Sequence, residues 1–300
     1  GTFYKANLHC HSTCSDGRLS PEQLKEAYQA KGYSAIAYTD HNIYVDHQDL
    51  TDDNFVALNG MEIGITEPDK PWRFAKVYHL NLIDTCPWEN ADIKQVQREN
   101  KNDPIYHQMT MDYSDTKAIN QHIKHMSDLG FLVTYNHPGW ALQDYRDYAP
   151  LDHLFAMELY NHKCENDGHY GSRAQVYDEM LRAGQKISCI CADDNHNKVP
   201  LDHKENDSFG GYTMIKAEEL SYRGLISALK AGNFYAVEGE GGPEIHSLTL
   251  TDNMVSVSCS AVNKIFLLTN GRHAKREIAE IGSTLSSAQL ELTGNEEYFR

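Results

Sequence analysis

Short apolar runs recur through the first two-thirds of the chain, and one after another they end in a histidine or a carboxylate. Tyr4 to Leu8 reads as a strand delivering His9 and His11. Ser34 to Tyr38 leads into Thr39-Asp40-His41, and Phe55 to Leu58 into Gly60-Met61-Glu62. Ala75 to Leu82 carries His79, Phe131 to Tyr135 precedes Asn136-His137-Pro138, and Phe155 to Leu159 precedes Tyr160-Asn161-His162. Lys186 to Ala192 ends in Asp193-Asp194-Asn195-His196. Side chains alternate along a strand, so His9 and His11 share one face. Asp16 follows in an Asp16-Gly17 turn.

Helix signals separate these runs. Ser20-Pro21-Glu22-Gln23 is a capped start with proline at the first helical position, and the helix stops at Gly32. Thr116 to Leu129, Tyr170 to Ala183 and Ser221 to Ala231 read as further helices, with strands at Gly211 to Lys216 and Phe234 to Val237. Such alternation predicts parallel strands with crossover helices. In barrels of that class the site is built at the C-terminal ends of the strands. Residues 84–113 are polar and irregular, and read as an insertion or lid with Trp88, Tyr106 and His107.

From about Pro243 the pattern changes to short strands at Ile245 to Thr251, Val255 to Cys259, Lys264 to Thr269 and Ala288 to Leu292, with turn signals at Asp252-Asn253 and Asn270-Gly271. The expected organisation is a catalytic α/β domain over residues 1–242 and a small all-β, sandwich-like appendage over 243–300.

The chain has 300 residues and a net charge of −16, from 43 acidic and 27 basic side chains. No basic face for a long nucleic-acid backbone is expected from that balance, and no run approaches the length of a membrane span. A small phosphorylated partner remains compatible, since bound divalent cations invert the local field. The 7 cysteines contain no CxxC pair and read as buried hydrophobes. The chain opens Gly1-Thr2, without an initiator Met. A trimmed signal peptide is one reading of that start, which leaves cytoplasmic and exported locations both open.

His9, His11, Asp16, His41, Glu62, His79, His137, Asp194 and His196 form the candidate ligand set. Nine donors exceed the four of one tetrahedral ion and suit a cluster of two or three divalent ions, with manganese, iron and zinc the metals that accept imidazole and carboxylate together. His47, His122, His125, His153, His203, His246 and His273 read as surface or structural residues.

In order and context these motifs resemble the PHP (polymerase and histidinol phosphatase) superfamily. The resemblance spans residues 7–196 and implies a distorted (β/α)7 barrel and a metal-dependent phosphoesterase acting on a small phosphorylated substrate such as a nucleotide or sugar phosphate, by in-line attack of metal-bound hydroxide. It implies one ion on His9, His11, Glu62 and Asp194, a second on Glu62, His79 and His137, and a third on Asp16, His41 and His196. The family often has histidine where this chain has Asp16, so the number of ions hinges on that residue. His196 or Asp194 would handle a proton near the leaving group, and Arg18 is the first candidate for a phosphate contact, ahead of Lys76, Lys163, Arg173 and Lys198. Asn161 and His162 are expected on the same rim. Two other readings stand beside the phosphoesterase: a metal-dependent amide or carbamate hydrolase, and a non-catalytic metal- or carbohydrate-binding protein.

Overall fold

The computed structural model describes residues 1–89 and 111–300. The fold is mixed α/β. A nine-stranded sheet runs in the order β7-β6-β5-β4-β3-β2-β1-β8-β9 and curls almost into a barrel. Its strands are β1 (Thr2–Cys10), β2 (Ala35–Tyr38), β3 (Val56–Thr66), β4 (Val77–Asp84), β5 (Phe131–Tyr135), β6 (Ala156–Asn161), β7 (Ser188–Ala192), β8 (Gly211–Ala217) and β9 (Phe234–Glu238). The helices are α1 (Pro21–Ala30), α2 (Thr116–Asp128), α3 (Tyr145–Tyr148), α4 (His162–Asn166), α5 (Ala174–Arg182) and α6 (Tyr222–Lys230).

Closure comes from a fork at β1. Its N-terminal half, Thr2 to Ala6, pairs antiparallel with β8. Its C-terminal end turns to the segment after β7, where Asp194 N donates to His9 O at 3.0 Å and His11 N donates to Asn195 O at 3.1 Å. The first and last candidate ligand motifs are thereby bonded through their backbones.

Helix α1 forms where its signals place it. Ser20 caps the first turn, Gln23 completes a capping box and Pro21 sits at the start, and Gly32 leaves the helix at φ +77°, where glycine is unstrained. Strand alternation sorts the core into two clusters. Ala35 and Ala37 join Val56, Leu58, Leu225 and Leu229. Ile36 and Tyr38 join Leu24, Tyr28 and Phe55. Burying each large apolar side chain contributes roughly 1.5–3 kcal/mol.

Strict strand–helix alternation is not observed. Strand β4 runs antiparallel to both β3 and β5. Residues 67–76 between β3 and β4 hold only a 3-10 turn, Trp72–Phe74. A parallel return needs a crossover of a dozen or more residues, so the chain makes a hairpin. Strand β3 also continues through Glu62 to Thr66, rather than ending there. The helix expected from Tyr170 begins only at Ala174. Tyr170 has φ +48°, and Gly171 is pinned in a loop by its N–H to the Glu165 carboxylate, 2.6 Å. The short helix α4 before it was not foreseen.

Contacts divide the chain into two compact units, Gly1–Glu240 and Gly241–Arg300. The second holds a three-stranded sheet of β10 (Ile245–Thr251), β11 (Met254–Val262) and β14 (Leu285–Glu291), and a hairpin of β12 (Lys264–Leu267) and β13 (Lys275–Ile278). Asp252, at φ +54°, turns β10 into β11 as its Asp-Asn pair predicts. Val255, Leu267, Ala288 and Leu290 are its core. Among the described residues no helix is long and apolar enough to cross a membrane.

Candidate metal centre

All nine candidate ligands come together in the first unit, around Glu62. This carboxylate is fully buried in the middle of β3. Its Oε1 lies 3.1 Å from His79 Nδ1, 3.2 Å from His137 Nε2 and 3.4 Å from His9 Nε2. Its Oε2 lies 3.0 Å from His41 Nδ1 and 3.4 Å from His11 Nε2. His79 reaches the group because β4 is antiparallel. Its early residues stand beside Gly64 of β3, at the end of the sheet where the parallel strands finish.

Asp194 faces the same point from the other side. Its Oδ1 is 3.0 Å from His11 Nε2 and 3.2 Å from His9 Nε2. His9 Nε2 and His11 Nε2 are themselves only 3.1 Å apart. A third group gathers His11, His41, His196 and Asp16. His196 Nε2 is 3.3 Å and His41 Nε2 3.8 Å from Asp16 Oδ1. The imidazole of His11 stacks on those of His41 and His196, with centroids 4.3 Å away in each case. The resemblance put His11 with the first ion only; here it also stands within the third group.

These residues fit divalent cations. Donors around one ion at about 2.0–2.2 Å sit roughly 3.0–3.5 Å from one another, and all of these contacts but His41–Asp16, at 3.8 Å, fall in that range. Glu62 Oε2, His79 Nδ1, His11 Nδ1, His137 Nδ1 and Asp16 Oδ1 are buried without a hydrogen-bond partner. Glu62 Oε2 and His79 Nδ1 have close neighbours, but none aligned as a hydrogen bond. Of these, Glu62 Oε2, His79 Nδ1 and Asp16 Oδ1 face the cluster, and leaving them unsatisfied would be costly.

The electrostatics agree. Burial disfavours charge on His9, but the carboxylates of Asp194, Glu62 and Glu158 outweigh it and raise the imidazole well above its usual range. His11 is pulled down to about 4 by burial and by the charges of His196 and His41. The two facing nitrogens, His9 Nε2 and His11 Nε2, are thus pushed in opposite directions. Burial alone would raise Glu62 and Asp194, yet the surrounding histidines hold both carboxyls well below their ordinary values. His137 (φ +24°) and Asp194 (φ +55°) both have left-handed backbones, a strain of about 1–3 kcal/mol that the packed surroundings must sustain.

Neighbouring residues hold this geometry. Glu158, inside β6, accepts from His9 Nδ1 at 2.7 Å, from the His137 backbone N–H at 3.0 Å and from Asn161 Nδ2 at 2.8 Å. With its Nδ1 proton committed to Glu158, His9 presents Nε2 to the cluster, a tautomer fixed from outside. Asn161 also donates to Asp194 at 3.1 Å, so it orients ligands rather than lining the rim. Asp40 accepts from the Ser12 N–H (2.8 Å), the Ser12 hydroxyl (2.7 Å) and the Ser15 hydroxyl (2.6 Å), and so shapes the turn before Asp16. Gly17 belongs to that turn because a Cβ there would lie 2.3 Å from the His11 carbonyl oxygen. Asp193 faces away. It accepts from Tyr28 and from the N–H groups of Phe209, Gly210 and Gly211 at 2.7–2.9 Å.

A cavity of about 290 Å³ opens onto the cluster. Seven of the nine residues line it, while His9 and His11 are fully buried and do not. Lys163 and Lys198 are its lining cations. Arg18 does not line it. The Arg18 N–H is spent on the His196 carbonyl at 2.9 Å and its side chain is exposed. Lys76 is bound to Asp144 and Asp147 at 3.0 and 2.6 Å, and Arg173 lies against Gly139. His162 pairs with the Tyr160 hydroxyl at 3.0 Å and packs on Gly210. Trp88 packs edge-on against Tyr222 of α6 at 5.8 Å, not over the cavity. Tyr106 and His107 lie outside the described residues. Glu158 was the missed signal: a carboxylate inside the otherwise apolar run Phe155 to Leu159.

No family model matches the chain. A 5'-3' exoribonuclease of Haemophilus influenzae is 50% identical over 38 residues, which is 13% of this chain and 14% of the relative's length. Similar solved structures include a two-domain protein of Bacteroides vulgatus containing a predicted PHP-like metal-dependent phosphoesterase, at 16% identity, TM-score 0.48, and coverage of 97% of this chain and 86% of that one. A protein of Bifidobacterium adolescentis assigned as a metal-dependent phosphoesterase is 16% identical, with TM-score 0.39 and coverage of 67% and 91%. An amidohydrolase of Chromobacterium violaceum, with bound sulfate and no metal, is 14% identical, with TM-score 0.41 and coverage of 78% and 97%.

Proposed function

We propose that this chain is a metal-dependent hydrolase of the PHP superfamily, with a barrel of the (β/α)7 kind, and that it cleaves a phosphoester of a small molecule. The observation that carries the reading is Glu62, whose two oxygens face five imidazole nitrogens at 3.0–3.4 Å. Oε1 meets His9, His79 and His137, and Oε2 meets His11 and His41, which suits a carboxylate shared between two ions. Asp16 and His196 would complete a third position with His41, and Asp194 would close the first with His9 and His11. Divalent ions held there supply hydroxide near neutral pH and offset charge on the phosphoryl group. Manganese, iron and zinc all suit the donor set.

The protein's own groups set the rest. His196 donates Nδ1–H to the Asp194 carbonyl at 2.9 Å, which leaves Nε2 as a lone pair facing Asp16 and the cavity. That nitrogen is free to hold an ion in the third position. Lys163 and Lys198 line the cavity, and cations there favour a phosphoester over a neutral amide. Lys163 is held by Asp167 at 2.5 Å, and Asp167 lines the same cavity.

The test is a panel of phosphomonoesters and diesters, with amides and carbamates alongside, assayed after reconstitution with manganese, iron or zinc and with elemental analysis. Turnover of a phosphoester with two or three bound ions is expected. The double variant His9→Ala/His11→Ala should lose metal content and turnover together. Unchanged turnover in that variant would sink the site assignment, and turnover of amides alone would replace the phosphoester with the second chemistry.

A further inference from the structure

Among the described residues, a further group of metal-type donors gathers outside the nine. Cys14 Sγ, a carboxylate oxygen of Asp40 and a ring nitrogen of His47 all lie within 4.8 Å of one another. They come from the turn between His11 and Gly17, from just past β2, and from the residue before the 3-10 turn Gln48–Leu50. His47 is only 6% exposed, and its Nε2 is buried without a hydrogen-bond partner. A buried polar atom in that state is costly. The ring packs on Tyr38, with centroids 4.6 Å apart, and the His47 backbone N–H donates to Asn59 at 2.9 Å. Burial lowers the pKa of the imidazole, which favours the neutral form that binds metals. Asp40 Oδ1 accepts from the Ser12 N–H and the Ser15 hydroxyl, and Oδ2 accepts from the Ser12 hydroxyl. A carboxylate oxygen has two lone pairs, so Oδ2 has one to give.

We propose that Cys14, Asp40 and His47 form a separate site for a zinc-class divalent ion. The difference in chemistry is the sulfur. The nine residues around Glu62 offer nitrogen and oxygen, whereas a thiolate beside an imidazole selects zinc over magnesium, calcium or manganese. Around zinc, sulfur sits at about 2.3 Å and nitrogen or oxygen at about 2.0–2.2 Å, which puts the donors roughly 3.3–3.6 Å from one another. Closing the set therefore takes a movement of at most about 1.5 Å. Coordination through Nε2 would give that atom the partner it lacks. Cys14 is two residues from Asp16, and Asp40 is next to His41. An ion here would brace the turn and the strand end that carry two members of the third group.

The experiment uses cobalt(II) as a spectroscopic substitute for zinc on the full chain, with each variant's fold checked by circular dichroism. A cobalt–thiolate bond gives an intense charge-transfer absorption in the near ultraviolet, which imidazole and carboxylate ligands do not. The band is expected in the unmodified chain, in His9→Ala/His11→Ala, and in Cys164→Ser, which removes a thiol lining the metal cavity. It should vanish in Cys14→Ser. His47→Asn should weaken cobalt binding at least about tenfold, no less than the loss of a residue that only orients a ligand. No band in the unmodified chain, or a band that survives Cys14→Ser, overturns the site. So does loss of the band in Cys164→Ser or in the folded double variant. Alkylation gives a second readout that needs no substitution of Cys14. Zinc should slow the reaction of Cys14 with iodoacetamide at least about tenfold in the unmodified chain, because a metal-bound thiolate is withheld from the reagent, and it should not do so in His47→Asn. Equal rates with and without zinc, or protection that persists in His47→Asn, overturn the site. Neither readout involves turnover, so the result stands apart from the hydrolase reading.

Discussion

Glu158→Gln changes one charge and almost no volume, at a residue only 1% exposed. Its carboxylate now accepts three hydrogen bonds and donates none, at 2.7, 2.8 and 3.0 Å. An amide cannot reproduce this. With its oxygen towards His9, its NH₂ confronts the His137 N–H and the Asn161 amide, three donors with no acceptor. With the amide flipped, the NH₂ meets His9 Nδ1–H and drives that proton to Nε2, the atom 3.2 Å from Asp194 that the metal needs. Loss of a residue that orients a ligand in this way typically costs 10- to 100-fold in metal affinity, or about 1.4–2.7 kcal/mol. The metal-free fold should also weaken, by about 1.5–3 kcal/mol for a charged acceptor lost from a buried site. The assay is chelator competition for Kd, with urea unfolding of the metal-free protein. A Kd within twofold of the unmodified chain, at unchanged urea midpoint, would refute the positioning role.

Asp193→Ala should destabilise the chain by at least about 3 kcal/mol, because three backbone N–H groups and the Tyr28 hydroxyl lose their acceptor; a urea-derived loss below 1 kcal/mol would count against it. The metal-free protein should be most stable near pH 6.5. The raised histidines, His9, His41 and His137, contribute fully below their ordinary 6.5 and lose that contribution as pH rises through their folded values. The lowered ones, His11 and His79, cost stability as pH falls below 6.5. The depressed carboxyls of Glu62 and Asp194 contribute above their ordinary 4.5 and 3.8, and that contribution is lost as pH falls through their folded values. Added manganese should remove the alkaline decline, since ions then replace the protons. Melting temperatures from pH 4 to 9, with chelator and with manganese, check this; a chelator curve still rising above pH 7.5 contradicts it.

The site was legible before the fold was. His9, His41, His137 and Asp194 announce themselves because each follows an apolar run, and a polar ligand at a strand end needs no tertiary information to be noticed. Helix α1 is equally plain, since its cap, proline and stop are local. Strand direction is not local. Nothing in Ala75 to Leu82 says which way it runs, and only the shortness of the preceding link decides for the hairpin that brings His79 to Glu62. Arg18 was favoured from adjacency to Asp16-Gly17, but adjacency in sequence does not bring a side chain to the cavity. Lys163 reaches it from the start of α4, a helix too short to leave a periodic pattern. Glu158 escaped because its partners are 149 and 21 residues away.

The fork at β1 has a consequence for how the protein comes into being. The bonds joining His9 and His11 to Asp194 and Asn195 link parts of the chain that are synthesised far apart. An N-terminal segment can form its first strands and α1 early, but it exposes His9 and His11 without their last partners. Contacts of such separation form late and slow the folding rate. A chain synthesised only as far as β2 carries three of the nine candidate ligands, His9, His11 and Asp16. On the proposed metal-dependent reading, barrel closure completes the ion sites, so the rate of folding should respond to the metal present while the chain folds.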